Sequence, residues 1–393
     1  MTKRAKTSRL SKPNEKQTSL PALSALRDVP SFDQLVPTQA QRDAYGSCVE
    51  RLQEAGVDSA QLELACVVRL DRGFPAVVSS VGVFRAEFSA RVTKGDNSKV
   101  AVGDWVCARI PLNHDMGIIE AILPRKSEIA RWRGSARGEK QTLAANVDVT
   151  FVVQALDERK TSIDRIVRSV VIALDSNVRA VVVLTKADSV SPATLKRYLT
   201  LIHEVLGDAV TTIVTSSKLE VSHEGSCDEM KQIVQKFHAR WGMDAIREEI
   251  PQESVAIVLG ESGAGKSTLL NALLGHEALE TGEVRASDKA GRHTTVARRM
   301  VALPKAGIIV DEPGLRSLPV VGHEQGLTKV FPRISRAAAA CKFRDCTHVH
   351  EPGCGVREAL RAGECSSAQV DAYLSLAHEM QVSARLLDPD VVL

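Results

Sequence analysis

The sequence contains no long apolar run. No stretch of the 393 residues approaches the roughly 18 apolar residues that a membrane-spanning helix needs. The N-terminus also lacks the apolar core of a secretory signal. We therefore expect a cytoplasmic protein without a membrane anchor. Apolar residues make up 44% and charged residues 25%, which excludes disorder or a collagen-like repeat as a description of the whole chain.

The chain lacks a strong excess of charge of either sign. Its 51 lysines and arginines nearly balance 48 aspartates and glutamates, which leaves a net charge of +3. This value is too small to indicate nucleic-acid binding, although it can conceal local basic patches. The first sixteen residues carry six basic residues and one acidic residue. We interpret 1–36 as a disordered basic tail, which either tethers the protein to RNA phosphates or keeps it soluble.

Cysteine is too sparse for a disulfide scaffold. Eight cysteines are present, but four of them fall within 25 residues near the C-terminus. These four are Cys341, Cys346, Cys354 and Cys365. In a reducing compartment such a cluster indicates a metal site rather than disulfides.

The length corresponds to two or three domains at about 150 residues each. Residues 64–123 contain four or five short strands punctuated by glycine, which predicts a small β-barrel, with an oligonucleotide-binding (OB) barrel as one candidate. We assign this barrel and the segment before it to 37–124. Residues 125–140 carry six basic and two acidic residues around Trp132, a composition that suits either a nucleic-acid surface or an exposed linker.

Strands and helices alternate from about residue 146. Buried strands are predicted at 147–154, 178–185 and 254–259, and a helix with one apolar face at 163–174. The alternation predicts a mostly parallel sheet covered on both faces, with ligands at the carboxyl ends of the strands. We assign 125–322 to this α/β domain and 323–393 to a C-terminal domain.

A phosphate-binding motif follows the strand at 254–259. Residues 260–268 match GxxxxGK[ST] between a strand and a helix, the context that this motif requires. Backbone NH groups would surround the phosphates, Lys266 would reach the terminal phosphates, and Ser267 would ligate Mg²⁺. The predicted nucleotide contacts are Gly260, Ser262, Gly263, Ala264, Gly265, Lys266, Ser267 and Thr268. The motif leaves the nucleoside open.

Two other strand ends carry residues suited to guanine. The carboxylate of Asp188, in Thr185-Lys186-Ala187-Asp188, can accept hydrogen bonds from both N1 and the exocyclic amine of guanine, whereas adenine offers no such pair of donors. A single motif of this kind often has no ligand, because a lysine and an aspartate after a strand commonly just face solvent in a loop. Ser216 and Ser217 strengthen it, because they end the next strand as a second base-contacting loop would.

Two further segments suit a γ-phosphate and its metal. Asp311 and Gly314 belong to a DxxG motif after the strand GIIV, where the aspartate can hold Mg²⁺ through water and the glycine NH can sense the γ-phosphate. Residues 291–295 read GRHTT, and Thr294 or Thr295 can contact Mg²⁺ and the γ-phosphate. These are the elements of a GTPase site, but the base motifs precede the phosphate loop. The order predicts a circularly permuted GTPase.

Three features in succession carry a family resemblance: the barrel with VGDWV, the permuted motifs with GRHTT and DxPG, and the cysteine cluster. Over roughly 64–385 the chain resembles the ribosome small subunit-dependent GTPase A family, also called RsgA or YjeQ. The resemblance implies three parts: an OB-type barrel, a permuted P-loop GTPase domain, and a helical zinc-binding domain. It also implies a monomeric late assembly factor that binds the 30S subunit and 16S rRNA, and that hydrolyses GTP faster on the subunit.

The same resemblance selects the metal ligands. The family spacing CxxxxCxHxxxxxC points to Cys341, Cys346, His348 and Cys354 as ligands of one Zn²⁺, since three thiolates and one imidazole suit a tetrahedral site. His350 is the alternative to His348 on proximity alone, and Cys365 is expected to be a bystander. The DEPG segment lies close to Cys341 in sequence. A movement of this segment in response to the γ-phosphate would therefore be passed almost directly to the zinc domain.

Catalysis is expected to depend on His293. Leu315 stands where Ras-like enzymes place the glutamine that orients the attacking water. The family credits the histidine of GRHTT with this role, whereas the alternative is a solvent-exposed side chain. Thr185 stands where such loops usually have asparagine, which predicts a weaker brace for the loop. Glu312 in DEPG adds a carboxylate where the family more often has a small residue, and the sequence offers no explanation for it.

Three rival functions remain open. The first is an ATP-dependent P-loop enzyme with an accidental TKAD match, and the second is a permuted GTPase of the large ribosomal subunit. The third is an RNA-binding adapter that holds GDP without hydrolysing GTP.

Overall fold

The computed structural model describes residues 23, 26–71, 74–94, 99–133, 139–159, 163–216, 224–277, 298–311, 320 and 322–387. Most of the predicted tail lies outside these ranges. The described strands are β1 (Leu62–Asp71), β2 (Phe74–Ser79), β3 (Gly82–Phe88), β4 (Trp105–Arg109), β5 (Gly117–Ile122), β6 (Glu128–Arg133), β7 (Glu139–Ala145), β8 (Val149–Ala155), β9 (Arg179–Thr185), β10 (Thr211–Val214), β11 (Arg240–Trp241), β12 (Val255–Leu259), β13 (Arg298–Ala302) and β14 (Ile308–Asp311).

The described helices are α1 (Gln39–Glu54), α2 (Ala90–Lys94), α3 (Asp164–Asp175), α4 (Pro192–Leu206), α5 (Glu224–Lys236), α6 (Met243–Glu248), α7 (Lys266–Leu274), α8 (Glu324–Val330), α9 (Pro332–Ala339), α10 (Gly355–Arg361) and α11 (Ser367–Leu387). None of these helices combines the length and the hydropathy needed to cross a bilayer.

Strands β1 to β5 close into a barrel. Strand β1 pairs with β2 and β4, β2 pairs with β3, and β5 pairs with β4 and, in parallel, with β3. Alternate residues such as Val67, Val77 and Ile119 face a common apolar interior. The strand order 1-2-3-5-4-1 with one parallel pair is that of a five-stranded OB barrel, which confirms the predicted barrel.

Residues 128–133 and 139–145 form an antiparallel hairpin, β6 and β7. The exposed-linker interpretation of 125–140 is therefore wrong for these strands. Two of the basic residues form structural ion pairs. Arg125 donates to both carboxylate oxygens of the fully buried Asp104, at 2.7 and 2.8 Å. Lys126 pairs with Asp148 at 2.6 Å. These ion pairs attach the hairpin to the barrel and to the strand that follows it.

The second part is a sheet with helices on both faces, as predicted. Strands β11, β10, β9, β8, β12 and β14 lie side by side in parallel. Val152 and Leu184 pack against α3 and α4 on one face. Phe151 and Val183 pack against α6 and α7 on the other face. Because side chains alternate between the two faces of each strand, the sheet contributes to two apolar layers, one on each face.

The barrel and the α/β sheet share one continuous ladder of strands. Strand β13 pairs antiparallel with β14 on one side and with β1 of the barrel on the other. The result is a twelve-stranded sheet among the described residues. Nothing in the hydrophobic pattern predicted this junction.

The C-terminal part consists of helices α8 to α11. Helix α8 packs directly on α3, where a Cβ on Gly326 would lie 2.1 Å from the carbonyl oxygen of Val171. Only glycine permits such a close approach between the two backbones. The domain boundary that we placed at 322/323 stays a prediction.

Candidate functional site

The phosphate-binding motif lies where the sequence predicted it, between β12 and α7. A Cβ on Gly260 would lie 2.4 Å from the carbonyl oxygen of Val153, and Gly265 has a φ of 89°. A side chain at Gly260 would push the loop away from β8, and one at Gly265 would strain the backbone. The glycines therefore hold the loop close against the ends of β8 and β9.

Lys266 folds back over this loop. Its ammonium group donates to the carbonyl oxygens of Gly260 at 2.5 Å and of Glu261 at 2.6 Å. Glu261 also forms an ion pair with Arg165 of α3. The lysine charge thus lies across the mouth of the loop, where it can meet the terminal phosphates of a nucleotide.

Thr185, at the end of β9, joins its own loop to the phosphate-binding loop. Its hydroxyl donates to the carbonyl oxygen of Ala264, in the phosphate loop, at 2.7 Å. Thr185 is 6% exposed, so this hydrogen bond is shielded from water. We expected a weakened brace at this position, but the threonine does connect the base motif directly to the phosphate motif.

The other residues predicted to contact the base are held by contacts between the loops after β9 and β10. Ser216 donates its hydroxyl hydrogen to the carboxylate of Asp188, and the backbone NH of Ala187 donates to the carbonyl oxygen of Thr215 at 3.3 Å. Lys186 has a φ of 59°, a left-handed conformation that turns the chain sharply after β9. Asp188 is thereby placed beside Ser216, although 27 residues separate them in sequence.

A cavity of about 70 Å³ lies between these motifs. The base loops contribute Thr185, Lys186 and Ser216, and the phosphate loop with α7 contributes Gly265 and Thr268. Its remaining lining residues are Thr215, Met243, Leu269 and Ala272. The order of the base and phosphate motifs in sequence is therefore no obstacle to one site, because these motifs converge at the carboxyl ends of the parallel strands.

Sequence reasoning missed four residues of this cavity: Thr215, Met243, Leu269 and Ala272. Met243 begins α6, and the hydroxyl of Thr215 contacts its sulfur at 3.4 Å. Thr215 directly precedes the predicted Ser216, whereas Met243 belongs to no recognisable motif.

A larger cavity of about 910 Å³ lies between the barrel, hairpin β6–β7 and the start of α8. Its basic lining residues are Arg51, Arg91, Arg125, Lys126, Arg131 and Lys140. It contains none of the predicted nucleotide motifs, whereas residues of the base and phosphate motifs line the smaller cavity.

Asp311 ends β14 beside the strand that carries the phosphate loop. Val310 lies opposite Ile257 in the parallel pair of β14 and β12, so Asp311 lies at the same sheet edge as the loop. Its carboxylate is 4.0 Å from Nε of Arg299. Five of the predicted site residues lie outside the described residues: Ser217, His293, Thr294, Thr295 and Gly314.

Cys341, Cys346, His348 and Cys354 form one cluster, in which the four ligand atoms lie within 4.8 Å of one another. Nδ1 of His348 is 3.4 Å from Sγ of Cys341 and 3.5 Å from Sγ of Cys354, and these two sulfurs are 4.0 Å apart. Tetrahedral zinc bonded to sulfur and nitrogen separates its ligand atoms by about 3.5 to 3.8 Å. The donor set therefore fits Zn²⁺.

The cluster excludes His350, the alternative ligand raised by the sequence, and agrees with the expectation that Cys365 is a bystander. His350 and Cys365 do not belong to it, although both are described. Cys365 is buried in the apolar core of the C-terminal helices. His348 adopts a left-handed backbone conformation with a φ of 64°, and its Nδ1 lies against two of the cysteine sulfurs.

The fold and the site together define a P-loop GTPase whose base-reading strands precede the phosphate loop. The family model described as RsgA GTPase matches residues 122–224 and 189–321. The chain belongs to this family.

Relatives of similar length support that conclusion. The small ribosomal subunit biogenesis GTPase RsgA of Streptomyces avermitilis is 38% identical, over 83% of this chain and 82% of that protein. The protein of the same name from Leptospira interrogans serovar copenhageni is 33% identical, over 81% of this chain and 82% of its own length.

Two solved structures share the fold. YjeQ from Thermotoga maritima superposes with a TM-score of 0.57 at 23% identity, covering 81% of this chain and 99% of that chain. YloQ, whose structure is described as that of a circularly permuted GTPase, superposes with a TM-score of 0.53 at 21% identity, covering 82% and 96%.

Proposed function

We propose that this protein hydrolyses GTP as a late assembly factor of the 30S ribosomal subunit, which it binds through 16S rRNA and which stimulates its activity. The observation that carries the nucleotide assignment is the hydrogen bond from Thr185 to Ala264. It brings the base motif and the phosphate motif into one site. The names of the relatives support the ribosomal role, and we infer with it a cytoplasmic location and a monomeric state.

Asp188 selects guanine in this proposal. Its carboxylate accepts a hydrogen bond from Ser216 and retains acceptor capacity for N1 and the exocyclic amine of the base. Ser217 belongs to the same base loop. Met243 lines one side of the cavity, while Lys186 projects from the strained turn after β9.

Ser267, Asp311 and Thr294 or Thr295 are the proposed holders of Mg²⁺. Ser267 lies in the first turn of α7, and Asp311 at the end of β14, so these two oxygen donors flank the phosphate loop. Mg²⁺ neutralises charge on the β- and γ-phosphates when bound. Lys266 and Gly314 would contact the γ-phosphate, and His293 would orient the attacking water.

Cys341, Cys346, His348 and Cys354 are the proposed ligands of one Zn²⁺. Four protein donors leave no open position, which is typical of a structural rather than a catalytic zinc site. The loops between the ligands contain few buried apolar side chains, so the metal would hold their conformation.

The zinc loop supports an RNA partner. Phe343 is 42% exposed, and the Lys342 ammonium lies 5.5 Å from the centre of its ring. Arg344 follows in the same loop. Exposed aromatic rings beside cations stack on unpaired bases and contact phosphates. Among the basic residues that line the large cavity, Arg125, Lys126 and Lys140 form ion pairs with carboxylates. Arg51, Arg91 and Arg131 are the proposed contacts of this second surface with a nucleic-acid backbone.

The base assignment is tested by changing the hydrogen-bonding pattern of Asp188. Asp188→Asn replaces one acceptor by a donor, which matches xanthine better than guanine. We expect GTP affinity to fall by about 100-fold, and xanthosine triphosphate to bind better than GTP. Competition binding with GTP, ATP and xanthosine triphosphate measures both effects. A variant that still prefers GTP, or a wild type that prefers ATP, would contradict the assignment.

The ribosomal role is tested by GTP turnover with and without 30S subunits, with 50S subunits as the control. We expect stimulation by 30S only. Equal turnover in all three conditions would contradict the role, and absence of turnover in all of them would leave an adapter that binds nucleotide.

A further inference from the structure

Two charges stand at locally unfavourable positions beside the phosphate-binding loop. Glu261 is the second residue of this loop, so it places a carboxylate within a segment that we propose to bind phosphates. Arg165 lies in the first turn of α3, where the helix dipole disfavours a positive charge. Residues that break a local rule of this kind are expected at functional sites. Neither charge is explained by the element that carries it.

The fold brings these two charges together. Strand β8 lies next to β12 in the parallel sheet. Helix α3 follows β8 and the phosphate-binding loop follows β12, so both lie at the carboxyl edge of the sheet. The guanidinium group of Arg165 forms an ion pair with the carboxylate of Glu261, although the two residues are 96 positions apart in sequence. Arg165 therefore supplies a countercharge to the acidic residue of the loop.

Stability does not explain this ion pair. The side chain of Arg165 is 47% exposed and that of Glu261 is 40% exposed, and ion pairs exposed to this degree contribute little to the stability of a fold. Repulsion between charges, in contrast, acts through solvent over about 10 Å at moderate ionic strength, which exceeds the thickness of a loop wrapped around its phosphates. A carboxylate of the loop without its countercharge would therefore repel an incoming triphosphate.

We propose that Arg165 is a positioning residue for the nucleotide: it neutralises and holds Glu261, so that this part of the loop presents no net negative charge to the phosphates. The proposal rests on the nucleotide binding proposed above. Because GTP carries more negative charge than GDP, the loss of Arg165 weakens the binding of GTP more than that of GDP. Arg165 thus helps to set the preference of the site for the substrate over the product.

A cycle of charge changes in the full-length protein tests this role. Arg165→Gln leaves the carboxylate of Glu261 uncompensated, so we expect GTP affinity to fall by about 5-fold and GDP affinity by about 2-fold. Glu261→Gln leaves the cation of Arg165 beside the phosphates, so GTP should bind about 2-fold to 5-fold more tightly than to the wild type. The double variant has no net charge at the pair, as in the wild type, and should recover the wild-type affinity. Competition against a fluorescent GTP analogue measures all four proteins.

Ionic strength and a conservative variant separate an electrostatic role from a purely structural one. Added salt screens exposed charges, so the differences among the four proteins should shrink at high ionic strength. Arg165→Lys keeps the charge and should recover most of the GTP affinity. Arg168→Gln is the matched control, because Arg168 lies one turn further along α3 and pairs with Glu379 of α11. It should leave the GTP affinity unchanged.

Two results would overturn the role of Arg165. The first is an equal loss of affinity in Arg165→Gln, Glu261→Gln and the double variant at every ionic strength, because the pair then only holds the loop in place. The second is an Arg165→Gln variant that binds GTP as tightly as the wild type. Either result, in a wild type that binds GTP, leaves the proposed function standing. A wild type that binds no guanine nucleotide contradicts the proposed function, and the role of Arg165 fails with it.

Discussion

Single hydroxyl groups decide how the nucleotide site is assembled. Thr185 connects two loops that are 79 residues apart in sequence through one hydrogen bond of 2.7 Å. An asparagine at this position would offer both a donor and an acceptor, whereas the threonine offers a shorter side chain that needs closely packed loops. The close approach of Gly265, whose added Cβ would lie 3.3 Å from the Thr185 hydroxyl, provides that packing.

Thr185→Val tests this contact, because it removes the hydroxyl while it keeps the shape. We expect GTP and GDP affinity to fall alike, by about 5-fold, for the loss of one buried hydrogen bond. Thr150→Val in β8 is the matched control: among the described residues, its buried hydroxyl has no hydrogen-bond partner. Isothermal titration of both variants measures the effect. Equal affinities for the wild type and Thr185→Val would show that the brace is unimportant.

Among the secondary-structure elements, helix α8 and the residue before it are hydrogen-bonded to the C-terminal end of α3. Asp175 of α3 accepts a hydrogen bond from the backbone NH of Gly326 at 2.8 Å and contacts Nδ1 of His323 at 3.0 Å. Lys329 donates to the carbonyl oxygen of Leu174 at 2.8 Å, which satisfies an acceptor at the helix C-terminus. These contacts hold the C-terminal helices against the α/β domain.

Asp175→Ala should lower the free energy of unfolding by about 1 to 3 kcal/mol at pH 7, because two buried donors lose their acceptor. Burial would raise the pKa of Asp175, but the hydrogen bonds from His323 and Gly326 outweigh it and lower the pKa. A carboxyl group with a lowered pKa stabilises the fold above its ordinary value of about 3.9, and this contribution is lost as the pH falls through the folded-state pKa.

The difference in stability between the wild type and Asp175→Ala should therefore shrink below about pH 4. Urea unfolding at pH 7 and at lower pH measures it. Asp371→Ala, at an exposed position of α11, is the control and should change stability little. A difference that grows on acidification would contradict the sign of the pKa shift.

At the scale of the whole molecule, the metal cluster and the nucleotide site belong to different parts of the fold. A zinc-selective chelator, added with Mg²⁺ in excess, should therefore unfold the loops around 341–354 while GTP binding persists. Cys354→Ser should lose bound zinc, whereas Cys365→Ser should keep one zinc per chain, because Cys365 lies outside the cluster. Metal analysis and nucleotide titration of both variants separate the two sites. Loss of GTP binding on chelation would contradict their independence.

Motifs and spacing predicted the parallel sheet, the phosphate loop and the cysteine cluster, because each of these follows from local pattern. The hairpin β6–β7 was missed because its basic residues concealed its alternation, and Arg125 is taken up by the buried Asp104. The junction of β1 with β13 could not be predicted, since two register pairs leave no periodicity. The roles of His293 and Thr294 stay predictions.

The shared sheet has a consequence for biosynthesis. Domains generally fold as units from the N-terminus while the chain is still being made, and the barrel strands are complete at Ile122. Strand β1 must then wait for β13, which begins at Arg298, and β8 must leave its edge open until β12 is added. The first strand of the described fold therefore completes its pairing only after most of the chain has been made, and a chain truncated before residue 298 would contain a finished barrel whose β1 lacks its partner β13.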